Sequence, residues 1–248
     1  NIGRCLDSLD GIDDIVVIDS GSSDKTVEIC RERGTRVLFR PFDNFAGQRN
    51  FGLEQGKFRH EWVLHLDADE VLPQEFITAL AALEPPPGID GFHVPSKTIL
   101  GGKWLRHAGM YPSYQARLGH RDRFRFVQVG HGQREDVPAE RMAVFDQPYE
   151  HYSFSHGMVN WLEKHVRYAR DEAAEIKKTR NAPAPDSASA STVGATASRR
   201  RLKRMANRLP LALRPPLRFF YVYLLRRGFQ DGFAGFRYAF MLAVYEGM

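Results

Sequence analysis

Residues 14–26 read Asp-Ile-Val-Val-Ile-Asp-Ser-Gly-Ser-Ser-Asp-Lys-Thr (DIVVIDSGSSDKT). A short apolar run rich in β-branched residues and closed by turn residues suits a buried parallel strand, here 14–19. The turn leads into a helix over 24–33, with Ser23 or Asp24 as its cap and Gly34 as its stop. The same alternation continues outward. Strand 36–39 is followed by helix 47–57, strand 61–66 (EWVLHL) by Asp67-Ala68-Asp69-Glu70, and then a helix over 73–83 ends at Pro85-Pro86-Pro87-Gly88. Strand–helix alternation predicts an α/β fold, a mostly parallel, Rossmann-like sheet with flanking helices. Ligands of such sheets bind beyond the carboxyl ends of the strands, where both DSGSSD and DADE lie.

The flanking sequence sets the organisation. From 91 to 152 short strand-like pieces (91–94, 124–129) mix with Gly, Pro, His and Arg, and 159–178 carries the apolar spacing of a long helix. Residues 181–198 are rich in Ala, Ser and Pro with almost no charge, which predicts a linker. Two aromatic, basic helices are expected at 215–227 and 232–246. The expected division is a catalytic domain over 1–155, a long helix over 156–180, a linker over 181–198 and a C-terminal helical tail over 199–248. The chain starts at Asn1 directly in helical pattern, and residues are expected to be missing before it.

The 248 residues, 43% hydrophobic and 26% charged, suffice for one large core or two modest ones and exclude disordered, collagen-like and disulfide-stapled chains. Cys5 and Cys30 fall in helical segments, which predicts buried thiols and a reducing compartment. No run reaches the roughly 18 apolar residues of a membrane span. Residues 199–248 hold eleven Lys and Arg against Asp231 and Glu246; that +9, within a whole-chain +5, leaves −4 for residues 1–198. Arginines beside Phe, Tyr and Leu suit a bilayer interface, and the tail is expected to meet a membrane surface rather than solvent alone. No nucleic-acid-binding module is recognisable, so no nucleic-acid partner is expected.

Three groups of residues can carry chemistry. Asp67 and Asp69, two apart in extended chain, put their carboxylates on one face about 6.6–7 Å apart. Alone they read better as a solvated acidic turn before a helix. At the end of an apolar strand they suit Mg²⁺, which takes one or two carboxylates and completes its shell with phosphate oxygens. Asp19, Ser20 and Gly21 form a tight turn whose backbone N–H groups suit a nucleotide or phosphate. Arg49, at a helix start, can reach a diphosphate or base.

The stretches NIGRCLDSL, IVVIDSGSSDKTVEI, RPFDNFAGQRNFGLE and WVLHLDADE resemble glycosyltransferase family 2, and more narrowly the bacterial lipopolysaccharide-core β-glucosyltransferases. YPSYQARL, YEHYSF and GFQDGFAGFRYAF fit as well. The resemblance implies a GT-A fold, a nucleotide-sugar donor, usually a UDP-sugar, Mg²⁺ or Mn²⁺, and inversion at the anomeric carbon. By match, Asp19, Ser20, Gly21, Arg49 and Asp67 would bind donor, and Asp67 and Asp69 metal, with His151 as a further ligand. The first family strand is absent. Where relatives place His-Glu, this chain reads His131-Gly132-Gln133-Arg134-Glu135-Asp136, so the base is expected at Glu135 or Asp136. His156 is weighed as a packed or surface residue, and Trp104 and Tyr111 as acceptor platforms or core.

The expected function is transfer of a sugar, glucose first, to a lipid-linked lipopolysaccharide-core or related glycan. The expected location is cytoplasmic, peripheral on the inner face of the cytoplasmic membrane. A polyprenyl-phosphate sugar transferase and an inactive membrane-associated binding fragment are the other readings.

Overall fold

A computed structural model describes residues 1–129, 132–180 and 210–247. The chain divides into two compact units, Asn1–Val94 with Gln115–Tyr149, and Pro95–Tyr114 with Glu150–Met248.

In the first unit β1 (Val16–Asp19) and β2 (Arg36–Phe39) pair in parallel, Val16 opposite Arg36 and Asp19 opposite Phe39. Helices α1 (Ile2–Asp7) and α2 (Thr26–Glu32) cover them through Ile2, Leu6 and Cys30, with Ile15, Val17 and Val37 packed alongside. Both cysteines are buried and neither forms a disulfide. Helix α3 (Phe45–Gln55) starts earlier than its apolar spacing suggests, because the Asn44 side chain accepts the Gly47 N–H at 2.7 Å and caps it.

The other strands are β3 (Trp62–Leu64), β4 (Glu70–Val71), β5 (Gly91–Leu100), β6 (Lys103–Trp104), β7 (Ser113–His120), β8 (Phe126–Val129), β9 (Gly132–Glu135), β10 (Met142–Val144) and β11 (Tyr149–His151). Seven of them form a sheet in the order β3-β7-β5-β11-β4, with β10 and β6 both on β5. Pairing is antiparallel for β3–β7 and β5–β6 and parallel for β10–β5. The α/β class holds, while the sheet is mixed rather than mostly parallel. The reason lies in residues 91–151, where strands follow one another with no α-helix between them, and short connections of that kind favour antiparallel pairing.

Helix α4 (Gln74–Ala81) buries Phe76 and Ile77 against Leu72, Phe92, Val94, Leu118, Phe145 and Tyr149. Phe124, fully buried, needs glycine on two sides: a Cβ on Gly91 would stand 2.6 Å from its ring and one on Gly119 2.4 Å.

The second unit holds β6, α5 (Gly157–Arg180), α6 (Arg214–Phe220), a π-helical turn (Tyr221–Leu225), a 3-10 turn (Gly228–Asp231) and α7 (Gly232–Glu246). Its core is Ala108, Val222 and Ala239. The buried Asp231 carboxylate accepts the N–H groups of His107 at 3.0 Å and Ala108 at 2.7 Å. Among the described residues no helix is long and apolar enough to cross a membrane. The expected linker at 181–198, the first residues of the tail and His131 lie outside the described residues.

Candidate active site

The turn after β1 closes on its own aspartate. Gly21, at φ +95° where only glycine sits without strain, donates its N–H to Asp19 Oδ2 at 2.9 Å, and the Ser22 N–H follows at 3.2 Å. Burial works to raise the Asp19 pKa, but the hydrogen bonds from Ser22 and from the Gly21 and Ser22 N–H groups prevail and hold it below the ordinary aspartate value.

Two consecutive residues at the start of α3 link this turn to DADE. Gln48 Nε2 donates to Ser20 Oγ at 2.8 Å, and Arg49 Nη2 to Asp67 Oδ1 at 2.8 Å. Adjacent helical positions diverge by about 100°, so the two side chains reach different loops.

Asp67 is held from the other side as well. Arg117 Nη2 donates to Asp67 Oδ2 at 3.0 Å and also to Glu70 Oε1. Glu70 Oε2 accepts the Asp67 N–H at 2.9 Å. Arg117 is only 2% exposed and Glu70 fully buried. Burial pulls the Arg117 pKa down, but the Asp67 and Glu70 carboxylates overcome it and keep the guanidinium charged. The Arg117 Nε donates to the Tyr149 hydroxyl at 3.2 Å. Cys5 lies beneath with its thiol on the Asp67 carbonyl at 3.8 Å. Burial first, and then Glu70, Asp67 and Asp69, push that thiol up to about 12.

His65 sits two residues before Asp67, buried, with its ring edge-on to Phe126 at 4.9 Å. Burial, reinforced by Arg49 and Arg117, holds its pKa well below the ordinary histidine value, so the imidazole is neutral. Four buried polar atoms here, Gln48 Oε1, Arg49 Nε, His65 Nε2 and Arg117 Nη1, have no hydrogen-bond partner among the described residues. Buried polar atoms are normally satisfied, and this concentration marks a place built for a polar ligand or water.

The β8–β9 hairpin docks on α3. Asn50 gives its Nδ2 to the Phe126 carbonyl and takes the Phe126 N–H on its Oδ1, both at 2.9 Å. Gln128 Oε1 accepts the Ala46 N–H at 3.3 Å, and Arg49 lies 5.6 Å from the Phe126 ring centroid. Glu135 stands directly opposite Phe126, so the two side chains share a face. Glu135 Oε1 is 3.7 Å from His93 Nε2, and its side chain is 12% exposed. The neighbouring Asp136 is exposed and anchors the strand end through its N–H to the Arg125 carbonyl at 2.8 Å.

Mg²⁺ takes one or two carboxylates and completes its shell with phosphate oxygens, and Asp67 and Asp69 are the two carboxylates that the sequence put forward for it. Asp67 has both oxygens engaged by arginine, and Asp69 stands half-buried two residues on in the same turn. Among the described residues no group of three or more His, Cys, Asp and Glu could hold a metal by itself. His151 ends β11 and belongs to the second unit, as do His156, Trp104 and Tyr111. In that unit Trp104 and Tyr111 pack edge-to-face at 5.1 Å.

Asp19, Ser20, Arg49 and Asp67 are therefore joined by direct or one-residue contacts. Glu135 shares the face of Phe126, whose ring lies against Arg49. Gln48, His65, Glu70 and Arg117 escaped the reading of the sequence. One signal was available for Arg117: a cation at an inward position of the alternating strand 113–120 requires a buried acid, and DADE supplies one.

The glycosyl transferase family 2 model matches residues 1–130, from α1 through the whole Asp19–Arg49–Asp67 arrangement. The chain belongs to this family. An uncharacterized glycosyltransferase of Rickettsia typhi is 37% identical over 75 residues, 30% of this chain and 25% of that protein. The lipopolysaccharide core biosynthesis glycosyltransferase LpsC of Rhizobium meliloti is 37% identical over 76 residues, 29% of this chain and 27% of LpsC. The matches thus span about a quarter of the length of these curated relatives. Among solved structures, S. aureus TarS 1-349 superposes with a TM-score of 0.43 at 16% identity, covering 98% of this chain and 86% of that one.

Proposed function

We propose that this family 2 chain transfers a sugar, glucose first, from a UDP-sugar to a lipid-linked acceptor of the lipopolysaccharide-core type, with inversion at the anomeric carbon. The observation that carries the reading is the pair of contacts Gln48–Ser20 and Arg49–Asp67, which draws two strand-end loops together around unsatisfied buried polar atoms. The likeness to LpsC supports the acceptor class.

In this reading the Asp19–Gly21 turn takes the nucleoside end of the donor, and Arg49 and Asp67 set the diphosphate. Glu135 accepts the proton of the acceptor hydroxyl as its oxygen bonds to the anomeric carbon, while the bond to the diphosphate breaks and the diphosphate leaves with the electron pair. Glu135 suits this better than Asp136 because it is half-buried on the Phe126 face, whereas Asp136 lies in solvent. Asp69, with Asp67 beside it, would hold Mg²⁺ or Mn²⁺, which when bound would neutralise charge on the leaving diphosphate. A lipid-linked acceptor places the reaction at the inner face of the cytoplasmic membrane.

The test is UDP release by the full chain from UDP-glucose with a lipopolysaccharide-core acceptor. Asp69→Asn is expected to remove metal-stimulated turnover with the fold intact by circular dichroism. Glu135→Gln is expected to lower turnover by 10²-fold or more while UDP-glucose still raises the melting temperature. Unchanged turnover in either variant removes that residue from the mechanism. If Asp136→Asn blocks transfer and Glu135→Gln does not, the base is Asp136.

A further inference from the structure

Helix α7 reverses the usual arrangement of a water-facing helix, which buries its apolar stripe and exposes a polar one. Its buried side is largely small: Gly235, Ala239 and Ala243, with Met241. At Gly235 a Cβ would stand 2.0 Å from the Gly228 carbonyl oxygen, so nothing larger fits. Its outer side carries Phe233, Phe236, Phe240 and Val244, spaced to share a helical face and 74%, 40%, 56% and 36% exposed. Phe236 meets Phe219 at 5.8 Å and Tyr223 at 5.7 Å, both edge-on. A groove of about 560 Å³ along α6 and α7 is lined by Pro215, Phe219, Phe220, Phe236, Phe240 and Val244. An exposed apolar surface of this continuity marks an interaction site.

Charge selects what covers it. Arg227, in the turn between α6 and α7, and Arg237 are exposed, with Arg237 5.7 Å from the Phe233 ring centroid. The two acids of this region are withdrawn: Asp231 is buried on the His107 and Ala108 N–H groups, and Glu246 faces Arg218 at 3.9 Å. The preceding residues 199–208 add six Lys and Arg and no acid. Two copies meeting through this face would set like charges together. An anionic bilayer satisfies both components, with the rings at the boundary of headgroups and acyl chains and the arginines on lipid phosphates.

We propose that α6, α7 and the turns between them are an interfacial docking surface for anionic phospholipid, with the α6–α7 groove receiving acyl chain. The inference rests on the reading above for its purpose, since that acceptor is lipid-linked, but docking itself requires no catalysis.

The test is co-sedimentation of the full chain with vesicles of phosphatidylcholine alone and of phosphatidylcholine mixed with phosphatidylglycerol. Two independent pairs of exposed residues are replaced, Phe233→Ser with Phe240→Ser, and Arg227→Glu with Arg237→Glu. Each pair is expected to lower partition onto the mixed vesicles by about tenfold or more. Added salt should weaken parent binding, and transfer to a lipid-free glycan fragment should be unchanged in both. Equal binding to both vesicle types, no binding, or variants that bind like the parent would overturn the proposal. So would a dimer in solution that the phenylalanine pair dissolves, or binding of duplex DNA, when either occurs without vesicle binding. Vesicle binding without sugar transfer supports docking and sinks the catalytic reading; transfer without vesicle binding does the reverse.

Discussion

Arg117 occupies a strand position that simple alternation would give to an apolar side chain, and it is there because Glu70 and Asp67 are. Its guanidinium joins a fully buried carboxylate to the half-exposed aspartate of the site. Removing one member of a buried pair leaves the other uncompensated. Arg117→Met should therefore cost about 3–5 kcal/mol in urea unfolding, and removing both in Arg117→Met with Glu70→Met should recover much of it. A loss in the double variant equal to the sum of the single ones would show that the two side chains do not couple. His65 gives a prediction of opposite character. Its folded pKa is depressed, so below about pH 6.5 the unfolded chain takes up a proton that the folded chain refuses. Stability should fall as pH drops from there, with a slope approaching about 1.4 kcal/mol per pH unit. His65→Leu should flatten that part of the curve relative to the parent. Neither residue was singled out from the sequence, because burial and neighbouring charge are properties of packing. Asp67 and Asp69 were legible because two acids ending an apolar strand are a local pattern.

At the scale of elements, α3 organises the first unit. Asn44 starts it, Gln48 and Arg49 reach two loops, and Asn50 bonds to the backbone of β8 as a neighbouring strand would. Asn50→Ala strands both the Phe126 N–H and carbonyl and should cost about 1–3 kcal/mol. Glu135, the proposed base, rides on the same hairpin, so turnover should fall by more than the loss of stability explains. Donor-induced thermal shifts, which do not need the hairpin, should stay near the parent. The elements from 14 to 83 could be read from periodicity and turn residues because each is locally encoded. The hairpin docking could not: it depends on residues 50 and 126 meeting across 76 positions of sequence.

For the molecule as a whole, the proposed donor residues and the Asp231 contacts belong to different units. Binding to the folded state alone stabilises by mass action. UDP with Mn²⁺ at a hundredfold excess over its Kd should add about 2.7 kcal/mol, read as a rise in melting temperature. In the second unit Asp231→Ala would leave the His107 and Ala108 N–H groups without their acceptor and should cost about 1–3 kcal/mol. The UDP-induced increment should survive that change, because the proposed donor residues lie in the other unit. Loss of the increment in Asp231→Ala would tie the donor site to the second unit.

The α/β alternation, the positions of the strand-end acids and the basic, aromatic character of the tail could all be read from the chain alone, since each is written in neighbouring residues. The sequence also carried enough local pattern to indicate the family that the 1–130 match establishes. The mixed sheet, the grip of Arg49 and Arg117 on Asp67 from two sides, and the outward phenylalanines of α7 emerge in the folded chain alone. Those outcomes depend on which distant surfaces come into contact, and contact between residues tens of positions apart leaves no periodic trace in the chain.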